Sequence, residues 1–363
     1  MQRLRDLYDE HGQSPWLDDL RRGWITSGEL SRWVEWGVRG LTSNPTIFQK
    51  AIDGSDEYDT QFGDLVRGGS AIDDAYWHLV TTDIEGALAA LRPVHDQSLG
   101  RDGFASVEVD PALARDTEGT IAAARALHTA IDEPNLLVKI PATAEGVPAI
   151  RQMVSEGRSI NVTLIFGLDR YAEVMEAYLS GLETCDGDLS RIASVASFFI
   201  SRVDTEVDRR LSEIGSATAT TLQGRAAVAQ GQVAYWMFRD TFRGPRWDAL
   251  VARGARVQRP LWASTSTKNP SYPDTLYVDS LIGPDTVNTM PEATVDAFVD
   301  HGTLARTVDA DVDGARRVLE QVAEIGVDLD DAAAVLEEQG VASFAKSFEE
   351  LITSLEAKAD RLR

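Results

Sequence analysis

Short apolar runs alternate with amphipathic stretches along most of the chain. Eight runs read as strands: Trp16–Asp18, Val38–Leu41, Phe104–Val109, Leu136–Ile140, Ser159–Ile165, Arg191–Phe199, Val257–Ala263 and Thr286–Met290. Runs such as Leu136–Ile140 are nearly continuous in Leu, Val and Ile, the mark of a strand covered on both faces, as in a parallel sheet. Between them the pattern changes to helical spacing. It predicts a helix over Ile25–Trp36, several between Ile47 and Arg92 with a break at Gly68-Gly69, and an Ala-rich helix over Asp116–Ala130. Ala144–Ser155 follows, closed near Gly157, where glycine commonly ends a helix. In Leu168–Leu182 the residues Tyr171, Val174, Tyr178 and Leu179 fall on one helical face. Val203–Ile214 is the next helix, Ser216–Gly254 holds one or two more, and the acidic stretch from Pro291 to Arg363 is helical.

Strand–helix alternation of this kind implies parallel βα units. Eight units within roughly 290 residues fit an α/β (β/α)8 TIM barrel, typically ~250 residues with variable insertions. The additional helices are an insertion after the sixth strand and the C-terminal helices. The expected organisation is one domain over residues 1–363: a barrel core from about 14 to 300, with helices from about 301 to 363 packed on it. A doubly wound open sheet is the alternative. It calls for a glycine-rich turn after the first strand, where this chain has WLDDLRRG.

Composition narrows the function. Of 363 residues 43% are apolar, enough for a large core, and the net charge of -23 argues against a nucleic-acid partner. An anionic substrate would need a local cationic pocket against that field. The single cysteine, Cys185, excludes an intramolecular disulfide and a cysteine metal cage. The five histidines form no HExxH motif, so no metal site is expected. MQRLRDLYDEHGQ lacks the apolar segment of a signal peptide, and no run approaches ~18 apolar residues. A cytoplasmic protein without a membrane span is expected.

Candidate chemistry follows from the barrel, whose active sites are built where strands end. The strand ends carry Asp18; Thr42, Ser43 and Asn44; Glu108; Lys139, with Thr143 beyond; Asn161 and Thr163; Ser197, Ser201 and Arg202; Ser264, Ser266 and Lys268; and Asn288 and Thr289. Lys139 stands out among five lysines because it alone lies in an apolar strand. A buried neutral amine is the nucleophile that forms Schiff bases; the alternative is a lysine that snorkels to solvent. Each of the others also has a structural reading: Asp18 as a helix cap, Glu108 as an ion-pair partner, Arg202 as one end of a surface pair, Asn44-Pro45 as a turn. Together they make costly polar residues at successive ends of an apolar barrel. The set offers an amine nucleophile, two carboxylates for proton transfer, amides and hydroxyls for a polyol, and cations for a phosphate.

The segments GLTSNPTIF (40–48), VEVDP (107–111), LLVKIPAT (136–143), INVTLIF (160–166), SFFISRVD (197–204), ASTSTKNP (263–270) and DTVNTMP (285–291) resemble the transaldolases, in family order. The longer chain and ASTSTKNP resemble the branch typical of actinobacteria. The resemblance implies a class I, Schiff-base transferase of the non-oxidative pentose phosphate pathway. Such enzymes move a dihydroxyacetone unit from sedoheptulose 7-phosphate to glyceraldehyde 3-phosphate, giving erythrose 4-phosphate and fructose 6-phosphate. By the same resemblance Lys139 is the Schiff-base lysine. Glu108 shuttles protons through a water held by Thr163, and Asp18 takes the sugar hydroxyl proton. Asn44, Asn161 and Ser197 hold the dihydroxyacetone unit; Arg202 and Ser264 bind phosphate. Better-known branches carry a second phosphate arginine after that serine, where this chain has Thr265-Ser266-Thr267-Lys268; Lys268, with Ser266, is expected to replace it. Phe198-Phe199 is expected to line a water-poor site, and small aldolases of the superfamily carry a tyrosine near there. No metal or organic cofactor is called for, the partners are sugar phosphates, and monomer and homodimer stay open. The alternatives are an aldolase releasing free dihydroxyacetone and a non-catalytic sugar-phosphate binding protein.

Overall fold

A computed structural model describes residues 2–53 and 55–362. Eight strands, β1 (Gln13–Leu17), β2 (Gly40–Thr42), β3 (Phe104–Glu108), β4 (Leu136–Pro141), β5 (Ile160–Ile165), β6 (Ser194–Phe199), β7 (Arg259–Ala263) and β8 (Thr286–Met290), pair in chain order and close, β1 against β8. Every pairing is parallel. All are buried along their length apart from Arg259 at the start of β7. That is why they lack the alternation of a half-exposed sheet. The architecture is the expected (β/α)8 barrel with extra helices.

Boundaries depart from the sequence pattern where local chemistry intervenes. The helix expected over Ile25–Trp36 is two, Arg22–Thr26 and Glu29–Trp36, divided at Gly28, whose φ of 76° a side chain resists. The sixth strand starts at Ser194 rather than Arg191, because Leu189–Arg191 forms a 3-10 turn capped by Asp188. The helix after β4 begins at Gly146, two residues after the expected start at Ala144. Residues 216–254 hold three helices, not one or two: Ala217–Leu222, Ala226–Thr241 and Gly244–Val251. The chain ends in Glu292–His301, Val312–Glu324 and a 34-residue helix, Leu329–Leu362.

The long last helix buries Ala332, Leu336, Gly340, Phe344, Ser347, Leu351, Leu355 and Ala359. Their spacing of three and four residues makes one continuous stripe. That stripe packs on helices Pro45–Asp53, Asp59–Arg67, Ile72–Gln97 and Ser201–Ile214 and on the end of β5. The helices after β6 are tied in by two carboxylates of Ser201–Ile214. Asp204 accepts from the Ala227 amide (2.7 Å) and the Tyr277 hydroxyl (3.0 Å), and burial pushes its carboxyl up to about 6. Asp208 accepts from the Gly224 amide (2.9 Å) and the Tyr272 hydroxyl (2.6 Å). Tyr272 and Tyr277 belong to the segment after β7, so the loop carrying Ser264 to Lys268 is held from the same helix.

Inside the barrel, below the site, a polar plug replaces apolar packing. Asp102 is 1% exposed and accepts from Trp16 Nε1 (2.8 Å), Arg39 Nε (2.9 Å) and Ser14 Oγ, with Arg259 Nη2 at 3.4 Å. Gly40 makes room for this, since a Cβ there would fall 2.4 Å from the Trp16 ring. Asp102→Ala leaves two guanidinium groups in this plug without their carboxylate. It should cost about 3–5 kcal/mol, read as a lower urea midpoint at unchanged slope. An unfolding midpoint equal to that of the wild type would refute the stabilising role of Asp102.

Candidate active site

At the C-terminal ends of the strands lies a cavity of about 350 Å³. Nine of the expected site residues line it: Asp18, Asn44, Lys139, Thr163, Ser197, Arg202, Ser264, Ser266 and Lys268. The other two, Glu108 and Asn161, lie beneath its wall, each in contact with a residue of the set.

Strand register places the central pair. Glu108 of β3 is opposite Lys139 of β4, which is opposite Asn161 of β5. All three point inward in one layer. Lys139 is 4% exposed and Glu108 5%, so the lysine does not snorkel to solvent. Lys139 Nζ donates to the Ser43 carbonyl at 3.0 Å and stands 3.1 Å from Glu108 Oε2, an ion-pair contact rather than a directed hydrogen bond. Burial raises the Glu108 carboxyl above its ordinary value; the Lys139 charge opposes that shift and Asp18 adds to it. Glu108 Oε1 and Thr163 Oγ1 are buried without a protein partner. Such atoms are uncommon in folded proteins because each forfeits its hydration.

Asp18, one residue beyond β1, is fixed by Thr42 Oγ1 (2.8 Å), which also contacts Thr289 Oγ1 (2.8 Å). Burial raises the Asp18 carboxyl, against the attraction of Lys139 and the Thr42 hydrogen bond. Two carboxyls pushed upward beside one amine are groups suited to proton transfer.

Asn44 Oδ1 accepts from the Ile47 amide (3.0 Å) at the start of the following helix, so a turn residue is also a site residue. Asn161 is fully buried, donating to Ser106 Oγ (3.0 Å) and accepting from Ser197 Oγ (2.7 Å). It acts on the cavity through Ser197 rather than by lining it. Ser264, one residue beyond β7, has φ 56°, a strained value for a non-glycine residue of the kind that clusters at functional sites. Its Oγ meets Ser201 Oγ at 2.9 Å.

The cationic side of the cavity is built from Arg202, in the first turn of Ser201–Ile214, and Lys268, whose Nζ donates to Ser266 Oγ at 2.6 Å. Helix N-termini favour anions through their free amides and dipole. Burial lowers the Arg202 pKa, yet a guanidinium stays charged. Burial, then the charge of Arg202, lowers that of Lys268. Lys50, at the end of Pro45–Asp53, joins them at the wall. Among the described residues none of these three cations is in an ion pair, a notable surplus in a chain of net charge -23.

The expected aromatic pair is divided by strand alternation. Phe199 lines the cavity, packed on Phe166 with ring centroids 5.0 Å apart. Phe198 points the other way, against Tyr171 (5.7 Å) and Trp262 (6.4 Å) in the helix layer. Lining residues that the strand-end rule missed include Thr46, Ile47 and Lys50, and Ser343 and Phe344 from the last helix. The helical stripe marks Phe344 as buried, but nothing local in the sequence says against what. Among the described residues no group of three or more His, Cys, Asp or Glu side chains could hold a metal.

A family model described as Transaldolase/Fructose-6-phosphate aldolase matches residues 15–355. The chain belongs to this transaldolase family. Curated relatives named transaldolase include one from Thermobifida fusca, 51% identical over 354 residues, covering 96% of each chain. Another, from Parafrankia, is 50% identical over 349 residues and covers 95% of each. A third, from Saccharopolyspora erythraea, is 48% identical over 363 residues, 99% of this chain and 98% of its own. The match includes the last helix as far as residue 355, so the cavity residues Ser343 and Phe344 fall inside the transaldolase region.

Because the Glu108 pKa is raised on folding, the unfolded chain releases that proton at lower pH than the folded one. The folded state therefore loses stability as pH rises through and above the ordinary glutamate range. Glu108→Gln removes this dependence. The unfolding free energy of the wild type minus that of the variant should fall as pH is raised from about 4. Parallel stability–pH curves would contradict the raised carboxyl.

Proposed function

We propose that this transaldolase carries the dihydroxyacetone unit on Lys139, and that the cavity works as a sequence of proton transfers around that amine. The observation that carries the reading is the buried Lys139–Glu108 pair at the floor of a cavity edged by unpaired cations. The reaction moves the three-carbon unit from sedoheptulose 7-phosphate to glyceraldehyde 3-phosphate. Lys139 Nζ attacks the ketose carbonyl, forming a C–N bond, and the carbinolamine loses water to give an iminium. Glu108 is close enough to exchange protons with that nitrogen. A water bridging Glu108 Oε1 and Thr163 Oγ1 would satisfy both atoms and extend the path.

The iminium then acts as an electron sink. Asp18, held by Thr42, takes the proton of the sugar hydroxyl as the carbon–carbon bond breaks, leaving an enamine on Lys139. The aldehyde product departs and the acceptor enters, its carbonyl carbon is attacked by the enamine, and Asp18 returns the proton; water then adds back to the iminium carbon, the C–N bond breaks, and the ketose product leaves with the amine restored. Asn44 and Ser197, oriented by Asn161, hold the hydroxyls of the bound unit. Arg202 and Lys268, with Ser264 and Ser266, hold the phosphate of donor and acceptor. One phosphate site for both fixes the distance from phosphate to reacting carbon. A cytoplasmic setting fits these substrates, and among the described residues no helix is long and apolar enough to cross a membrane.

The test is a coupled assay with fructose 6-phosphate, with and without erythrose 4-phosphate, read as glyceraldehyde 3-phosphate. Product should form only when the acceptor is present; equal rates in both would make the protein an aldolase. Lys139→Arg keeps the charge but cannot lose its proton. It should lower transfer by more than about a thousandfold while circular dichroism shows the fold retained. Substantial turnover by that variant would remove Lys139 from the mechanism.

A further inference from the structure

The last helix brings one side chain to the reacting amine. Phe344 is 4% exposed, lines the cavity, and stands with its ring centroid 6.0 Å from Lys139 Nζ. The approach is close because Gly340, one turn earlier, lies against β5: a Cβ there would sit 3.0 Å from Leu164 Cδ2. The helix is fastened on both sides of Phe344. Thr46 Oγ1 meets Ser347 Oγ at 2.8 Å, and Gln49 donates to Glu350 at 2.9 Å. Arg115 pairs with Glu337 at 2.9 Å, and Arg210 with Asp331 at 2.7 Å. A ring held this way is fixed by its helix rather than by a loop.

The position matters because of the fate of the enamine. Transfer forms a bond from its nucleophilic carbon to the aldehyde carbon, and the aldehyde oxygen takes a proton. The competing path puts a proton from water on that same carbon, giving an iminium. Hydroxide then adds, the C–N bond breaks, and dihydroxyacetone leaves with the amine restored, one water consumed in all. The two paths differ in whether water reaches the carbon before the acceptor does. Since Phe198 points into the helix layer, the barrel strands supply one aromatic wall, Phe199.

We propose that Phe344 is a specificity-determining residue, the second aromatic wall that keeps water from the enamine on Lys139 and so makes the reaction a transfer rather than a release. The inference rests on the Schiff-base reading above. Its geometry is separate, coming from a helix outside the eight βα units. It concerns protonation at carbon, not the water exchanged at nitrogen beside Glu108.

The experiment compares wild type, Phe344→Ala, Phe344→Leu and Phe348→Ala in the fructose 6-phosphate assay with and without erythrose 4-phosphate, alongside melting temperature. Phe348 lies on the same helix but packs edge-on against Tyr76, centroids 5.3 Å apart, and so controls for a loosened helix. Phe344→Ala should raise the ratio of acceptor-independent release to transfer by about tenfold or more, and Phe344→Leu by less. Phe348→Ala should lower the melting temperature and leave the ratio at the wild-type value. An unchanged ratio in both Phe344 variants, or an equal rise in Phe348→Ala, overturns the proposal. Acceptor-independent release by the wild type as fast as its transfer would instead overturn the transfer reading, whatever the variants do.

Discussion

The buried contact between Lys139 and Glu108 is the constraint around which the upper barrel is arranged. Taking an ammonium and a carboxylate out of water costs several kcal/mol for each ion, and mutual attraction offsets this only with good geometry and further hydrogen bonds. The structure supplies the Ser43 carbonyl to the amine and leaves Glu108 Oε1 without a protein partner. An apolar pair would pack here with less penalty. What the ionisable pair gives is an amine with a proton acceptor beside it, at the strand ends where the cavity opens.

The rest of the site extends that logic outward. Neutral amides and hydroxyls surround the pair: Asn161, in the same layer, hydrogen-bonded to Ser197, and Thr42 fixing Asp18. Cations form the outer edge, with Arg202 at a helix start and Lys268 beside Ser266. Beneath, the Asp102 plug with Arg39, Arg259 and Trp16 closes the other end of the barrel. Stability and chemistry thus occupy opposite faces, as is general for this architecture.

Much of this was legible in the sequence, for a physical reason. Strands buried on both faces cannot hide polar residues cheaply, so polar side chains at their ends announced the site. Nine of those expected line the cavity and the other two support it. Legibility failed where function depends on which way a side chain points or on contacts distant in sequence. Phe198 and Phe199 look equivalent as letters, yet alternation sends one into the helix layer. Phe344 reads as one buried position in a helical stripe; only the packing of that helix across β5 and Pro45–Asp53 brings it to Lys139. Gly28 divides a helix that apolar spacing alone reads as one, Ile25–Trp36.

The most direct measurement is borohydride trapping. The protein is incubated with fructose 6-phosphate and reduced, and the modified residue is located by peptide mass spectrometry. The account predicts a reduced three-carbon adduct on Lys139, absent when sugar phosphate is omitted. An active protein whose adduct lies on another lysine, or that forms none, would contradict it.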